Sequence, residues 1–118
     1  MTPEQLNQSI IEGIRDVKGK GITLIDLRKI KDAPTDFFII CQGDNSTQVT
    51  AIAGSIAERT RADLDARPSR TEGIRSAQWV LMDYFNTIVH IFYHETRDFY
   101  QLEQLWGDAK ITEFADLD

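Results

Sequence analysis

Two apolar runs, Trp79–Tyr84 (WVLMDY) and Ile88–Tyr93 (IVHIFY), decide the fold of this chain, and only Phe85, Asn86 and Thr87 separate them. Both runs are rich in the β-branched and aromatic residues that favour strands. Because a connection this short joins antiparallel neighbours, the two runs are predicted to form a β-hairpin.

Two more strands are predicted nearer the start of the chain. Ile22–Leu27 (ITLIDL) has strand composition, and Phe37–Cys41 (FFIIC) is apolar throughout, as is typical of a strand buried on both faces. The loop Arg28–Asp36 joins them, so we expect antiparallel pairing. The polar segment Asp65–Ala77 is predicted as an extended edge strand followed by a loop, and the alternative of no strand there stays open.

The first helix is predicted at the opening of the chain. Apolar residues recur there every three or four positions, at Leu6, Ile10, Ile14 and Val17. Thr2 supplies a capping hydroxyl, Pro3 a first-turn proline, and Gln5 an amide that reaches back to the cap. Gly19 ends the helix.

Two later helices are predicted with the same signals. The second follows Gly43, with Asn45 or Ser46 as its cap and Gln48 completing a capping box. Its buried stripe comprises Val49, Ile52, Ala53, Ile56, Ala57 and Leu64. The third is capped near Thr96 and ends near Gly107. It carries Phe99, Leu102, Leu105 and Trp106.

The resulting order, α-β-β-α-β-β-β-α, predicts an α+β domain with a mixed β-sheet flanked by helices. Residues 1–109 form this domain, and residues 110–118 are predicted to be a loose, acidic C-terminal tail.

Composition and charge narrow the class of protein. The 118 residues include 13 basic and 19 acidic ones, for a net charge of −6, and the last 24 residues carry −5 of it. The chain lacks the basic face that nucleic-acid binding needs, so no dominant nucleic-acid contact is expected. No apolar run is long enough for a membrane span, and no secretory signal is visible. The single Cys41 fits a reducing compartment, so we expect a cytoplasmic protein without a membrane partner.

Features that hint at catalysis have simpler structural interpretations. The turn at Gly43–Ser46 could cradle a phosphate, but it lacks the glycines and lysine of phosphate-binding loops, and a capped turn is favoured. Asp63 and Asp65 lie at a helix end, where side chains two positions apart diverge, so they do not support a magnesium site. No cofactor is expected.

The histidines and the cysteine are also weak catalytic candidates. His90 and His94 are four residues apart, which is about 13 Å along a strand and too far for one metal ion. Asp83 could donate or accept a hydrogen bond with His90 across the hairpin, most simply as a structural or partner-facing pair. Cys41 lies within a buried run and is a poor nucleophile.

Aromatic residues are concentrated in the last third of the chain. Eight lie within 28 positions: Trp79, Tyr84, Phe85, Phe92, Tyr93, Phe99, Tyr100 and Trp106. A hairpin and one short helix cannot bury so many rings, so part of this surface is expected to be exposed as a protein interface. The alternative, that all of them are core, stays open.

Several motifs together resemble one known family. They are DFFIICQG at residues 36–43, EG at 72–73, WVLMDY at 79–84, VHIF at 89–92 and the pattern Arg97-x-x-Tyr100-x-Leu102-Glu103-x-x-Trp106. In this combination the chain resembles the ribosomal silencing factor family, also called iojap-like, over roughly Leu6 to Ala109. Two turns depart from the family pattern, at residues 44–47 and at Phe85-Asn86, where Gly-Asp is usual.

The resemblance implies a nucleotidyltransferase-like fold without catalytic carboxylates, hence not an enzyme. It implies binding to the large ribosomal subunit through ribosomal protein L fourteen, which blocks association with the small subunit and represses translation. It also implies a homodimer when the protein is free. The matching contact positions are Trp79, Tyr84, His90, Phe92 and Tyr100, with Arg97 as a flanking charge.

Two other functions remain open. One is a nucleotide-binding or nucleotidyltransferase-like enzyme that uses Gly43, Ser46 and an acid such as Asp36 or Asp83. The other is an assembly factor for the large subunit, which would use the same aromatic surface.

Overall fold

The protein is a single mixed sheet with helices on both faces, seen in a computed structural model that describes residues 1–117 apart from the side chain of Phe99. The elements are α1 (Pro3–Asp16), β1 (Lys20–Asp26), β2 (Phe37–Gly43), α2 (Ser46–Leu64), β3 (Arg70–Glu72), β4 (Trp79–Asp83), β5 (Thr87–Tyr93), α3 (His94–Tyr100), α4 (Leu102–Leu105) and β6 (Lys110–Glu113). The strand order is β3-β4-β5-β2-β1-β6. Among the described residues, only β2 and β5 pair in parallel. The predicted α+β class with a mixed sheet is confirmed.

Helices α1 and α2 pack on one face of the sheet, which we call the helix-covered face. Its core joins buried residues of both helices, such as Ile10 and Ile56, to Ile39, Val80 and Ile91 of the sheet. The two helices cross closely, because a Cβ atom placed on Gly13 of α1 would lie 2.9 Å from the Cα of Ile56. The two helices are therefore tightly packed where they cross.

The helix starts follow the predicted signals with one difference. At α1 the Thr2 hydroxyl accepts from the backbone N–H of Gln5, and the side-chain Oε1 of Gln5 accepts from the backbone N–H of Thr2. The predicted capping box is therefore confirmed. At α2 Asn45 Oδ1 accepts from the Gln48 backbone N–H at 2.8 Å. The Gln48 side chain does not complete a box on Asn45, since its Oε1 accepts from the N–H of Asp44, at 2.7 Å.

The C-terminal helix is shorter and earlier than predicted. Helix α3 begins at His94, directly after β5, and not near Thr96. It ends at Tyr100, and the left-handed backbone of Gln101 (φ 48°) separates it from the four-residue α4. One predicted helix is thus two. The side chain of Phe99, which the predicted helix carries, lies outside the described side chains.

The predicted loose tail is wrong for Lys110–Glu113, which forms strand β6 against β1. The physical reason is that the outer edge of β1 presents unpaired backbone groups, and β6 satisfies them. The chain beyond β6 is held as well: Arg15 donates to the Ala115 carbonyl at 3.0 Å, and Asp116 accepts from the Gly21 N–H at 2.9 Å. Asp118 lies outside the described residues.

The other edge of the sheet is the short strand β3, in which every residue is exposed. It confirms the predicted edge strand within Asp65–Ala77, with loops on either side. Among residues 1–117, no helix has the length and apolar character needed to cross a membrane.

Candidate protein-docking site

The face of the sheet opposite α1 and α2 carries a group of stacked rings. Trp79 of β4 lies opposite Phe92 of β5 in the strand register, with ring centroids 5.0 Å apart. Tyr100 of α3 lies 4.7 Å from the Trp79 ring and 6.4 Å from the Phe92 ring. His90 is two residues before Phe92 and stacks on it at 6.4 Å. We call Trp79, His90, Phe92 and Tyr100 the aromatic cluster, and the face that carries it the aromatic face.

The aromatic cluster has an inner and an outer layer. Phe92 and His90 are buried, with 1% and 5% of their surfaces exposed. Trp79 is half-buried, and Tyr100 is 47% exposed. The outer rings therefore rest on a rigid floor and present their edges to solvent, an arrangement that suits protein anchoring.

His90 orients Trp79 through a hydrogen bond. The Trp79 Nε1–H donates to His90 Nδ1 at 3.0 Å, which places the imidazole proton on Nε2. Burial lowers the pKa of His90 to about 4, so the ring is neutral at physiological pH. The predicted bond with Asp83 is wrong, because Asp83 lies opposite Ile88 and accepts from the N–H of Phe85.

Arg97 faces inward and fastens α3 to the sheet. Its guanidinium donates to the Gly21 carbonyl, to Gln42 Oε1 at 3.1 Å and to Thr23 Oγ1 at 3.1 Å, and it pairs with Glu103 at 3.2 Å. Only 12% of its side chain is exposed. It lies near the cluster as predicted, but it positions the helix that carries Tyr100 and is not a free flanking charge.

Tyr84 lies apart from the cluster, on the helix-covered face. It is buried among the core residues there, and its hydroxyl shares a 2.8 Å hydrogen bond with Thr60 of α2. Burial raises the pKa of Tyr84 above its ordinary value. The sequence contained the signal for this separation: positions 79 and 84 differ by an odd number, so in one strand their side chains point to opposite faces.

The same alternation identifies residues that the sequence analysis missed. Leu81 points to the same face as Trp79, lies opposite His90 in the register and is half-buried. Trp106, just after α4, packs edge-on against Phe38 with ring centroids 5.9 Å apart. Phe38 in turn meets the His90 ring edge-on at 4.6 Å. These side chains extend the aromatic face towards β2.

The candidate catalytic side chains are engaged in hydrogen bonds and ion pairs or are buried. Asp63 accepts from Ser9 and Arg59, both at 2.9 Å, whereas Asp65 caps the end of α2 and pairs with Arg67. Burial raises the pKa of the Cys41 thiol to about 12, which makes it unreactive. Within residues 1–117, no group of three or more His, Cys, Asp or Glu residues is arranged to hold a metal ion.

Fold and site together define a small α+β domain whose distinctive feature is a partly exposed cluster of aromatic rings on one face of its sheet. The family described as ribosomal silencing factor during starvation matches residues 1–118, and the chain belongs to this family. It is similar to the ribosomal silencing factor of Halalkalibacterium halodurans, with 34% identity over 96% of this chain and 95% of that protein. It is also similar to the ribosomal silencing factor of Bacillus subtilis, with 37% identity over 87% and 83%.

A solved structure shows the same architecture. The crystal structure of a Chromobacterium violaceum protein superimposes with a TM-score of 0.85 and 32% identity, covering 91% of this chain and 88% of that one. The family and its named relatives associate the chain with regulation at the ribosome.

Proposed function

We propose that the chain silences translation by docking its aromatic face on the large ribosomal subunit, through ribosomal protein L fourteen, so that the small subunit cannot join. The observation that carries this proposal is the two-layered aromatic cluster, in which Trp79 and Tyr100 reach solvent above buried His90 and Phe92. Rigid aromatic rings of this kind are the usual anchors of protein interfaces.

A protein partner fits the cluster better than RNA does. The N–H donors of Arg97 are engaged by groups within the fold and are not available to a phosphate. Phosphate binding needs outward-facing Lys or Arg, and stacking alone does not supply the affinity. The indole N–H of Trp79 is also satisfied internally by His90, which leaves an apolar edge for the partner.

The mechanism is steric. The bound domain occupies space that the small subunit needs, and no reaction or cofactor takes part. In the free protein, which we place in the cytoplasm, a second copy covers the same rings and forms a homodimer. That dimer must separate before docking, because the same surface serves both contacts.

Cosedimentation with purified large subunits tests the docking site. We expect Tyr100→Ala to remain folded and to bind about thirtyfold more weakly, since truncating an interface anchor costs about 2 kcal/mol. Phe85→Ala is the matched control, because Phe85 is an aromatic residue that is 84% exposed and lies outside the cluster. It should bind within about twofold of the wild type.

The outcomes separate the candidate functions. Equal binding by Tyr100→Ala and the wild type would show that the cluster is not the docking site. If the wild type binds large subunits but small subunits still join them, silencing is wrong and the assembly-factor alternative gains support. Saturable binding of a nucleoside triphosphate with magnesium, measured by calorimetry, would instead support the enzyme alternative.

A further inference from the structure

A cavity of about 290 Å³ lies on the helix-covered side of the sheet, between α1 and the edge formed by β1 and β6. We call it the α1–β6 cavity. Its floor is apolar and consists of Ile11, Leu24, Phe37 and Phe114. The volume is at the lower end of the range for small-molecule sites, about 300–1,000 Å³. A compact ligand with an apolar body would fit this space.

The rim of the α1–β6 cavity carries charges of both signs. Asp26 and Arg28 form a pair with contacts of 2.7 and 3.0 Å, so they neutralise each other. Glu4 of α1 and Lys110 of β6 also line the cavity, and neither takes part in an ion pair or side-chain hydrogen bond within residues 1–117. Glu4 is within electrostatic reach of Arg28, and Lys110 is within electrostatic reach of Asp26. One carboxylate and one ammonium group without a direct ion pair therefore face the same apolar space.

A buried amide adds a third polar group. Asn7 lines the cavity and is only 5% exposed. Thr87 donates its hydroxyl proton to Asn7 Oδ1 at 2.7 Å, which fixes the orientation of the amide. The Nδ2 group then has two donors that form no hydrogen bond in the described part of the chain. The Nδ2 atom is not among the enclosed side-chain atoms without a partner, so it is accessible and can donate to an acceptor that enters the cavity.

We propose that the α1–β6 cavity binds a small zwitterion with an apolar side group, that is, an aliphatic α-amino acid. The ammonium group pairs with Glu4, and the carboxylate accepts from Asn7 Nδ2 and pairs with Lys110. The aliphatic side group covers Ile11 and Leu24. A purely anionic or purely cationic ligand would use only one of these two rim charges.

Such a ligand would connect the two ends of the described chain. Glu4 and Asn7 belong to α1, whereas Lys110 belongs to β6, whose four residues are all exposed. A bound amino acid therefore holds β6 against the body of the domain. The cavity is on the opposite side of the sheet from the aromatic cluster, so this proposal does not depend on ribosome binding.

Titration calorimetry of the full chain with L-leucine tests the proposal, alongside two leucine fragments. These are 4-methylpentanoate, which lacks the amine, and 3-methylbutylamine, which lacks the carboxylate. We expect saturable binding of leucine at one site and at least tenfold weaker binding of either fragment. Equal binding of a fragment would overturn the zwitterion assignment, and no saturable binding of leucine, isoleucine or valine would overturn the proposal.

Charge-neutralising variants locate the site. Glu4→Gln and Lys110→Gln should each weaken leucine binding at least tenfold while circular dichroism remains that of the wild type. The matched controls are Glu58→Gln and Lys31→Gln, which remove exposed charges outside the cavity. Bound leucine should also slow hydrogen exchange of the β6 amides. Wild-type affinity in both cavity variants would place the ligand elsewhere and overturn the proposal.

Discussion

The two faces of the sheet differ in how deeply their tyrosine side chains are buried. On the helix-covered face, the Tyr84 side chain is buried and its hydroxyl shares a hydrogen bond with Thr60. On the aromatic face, the Tyr100 side chain is 47% exposed. The comparison shows that one tyrosine contributes to the core whereas the other lies at the surface.

The two faces also differ in the polar contacts that hold their helices in place. Arg59 of α2 pairs with Glu12 and Asp16 of α1 at 2.6 and 2.9 Å. Asp63 of α2 accepts from Ser9 of α1 at 2.9 Å, so the two helices are joined by several polar contacts. On the other side, Arg97 connects α3 to the sheet through several hydrogen bonds, and Tyr100 of the same helix stacks on Trp79. Mutations on the two faces should therefore separate stability from binding.

The largest effect on stability is expected for Ile56→Ala on the helix-covered face. Ile56 is fully buried where α1 and α2 cross, so truncation leaves a cavity and costs about 2–5 kcal/mol of unfolding free energy. Urea denaturation measures this loss. The affinity of the remaining folded protein for large subunits should be unchanged, and a loss of affinity per folded molecule would mean that the two faces are coupled.

A smaller effect on the free energy of unfolding is expected when the pH is lowered, because of a buried histidine on the aromatic face. The pKa of His90 falls from 6.5 to about 4 on folding, so the unfolded chain binds the proton more readily. Stability due to this group is present above pH 6.5 and is lost as pH falls towards 4, by up to about 3 kcal/mol.

Urea denaturation at pH 7 and pH 4.5 checks this prediction. The difference in stability between the two values should shrink in His90→Phe, because carboxylates contribute equally to both proteins. His94→Gln, which retains His90, is the matched control. An unchanged pH difference in His90→Phe would show that His90 is not the titrating group.

The smallest effect is expected for Tyr84→Phe. Removing the hydroxyl breaks its bond with Thr60, which still donates to the Ile56 carbonyl at 3.1 Å, so the cost is about 1 kcal/mol. Thermal unfolding measures it. Binding to large subunits should be unaffected, in contrast to Tyr100→Ala. Weakened binding would show that Tyr84 is part of the docking site.

Local signals in the sequence predicted most of the fold. The capping box at Thr2 and Gln5 and the hairpin of β4 and β5 depend on residues close together in the chain, and both are confirmed. The parallel pairing of β2 with β5 joins residues about 50 positions apart, and no local pattern specifies it. Strand β6 was missed because its residues are all exposed and lie among acidic ones, so it lacks the apolar alternation that marks a strand.

The candidate site was predicted in composition but only partly in geometry. The excess of aromatic residues correctly indicated an exposed aromatic surface, now located at Trp79 and Tyr100. Strand alternation would have separated Tyr84 from them and added Leu81. The inward role of Arg97 was not predictable, because its partners on β1 and β2 come from distant parts of the chain.

The two edges of the sheet have a consequence for solubility. Strands β3 and β6 are short and fully exposed, and each carries one basic and one acidic residue, Arg70 and Glu72 on one edge and Lys110 and Glu113 on the other. Short charged edges resist pairing with the strands of neighbouring molecules. The sheet therefore resists growing edge to edge into fibres.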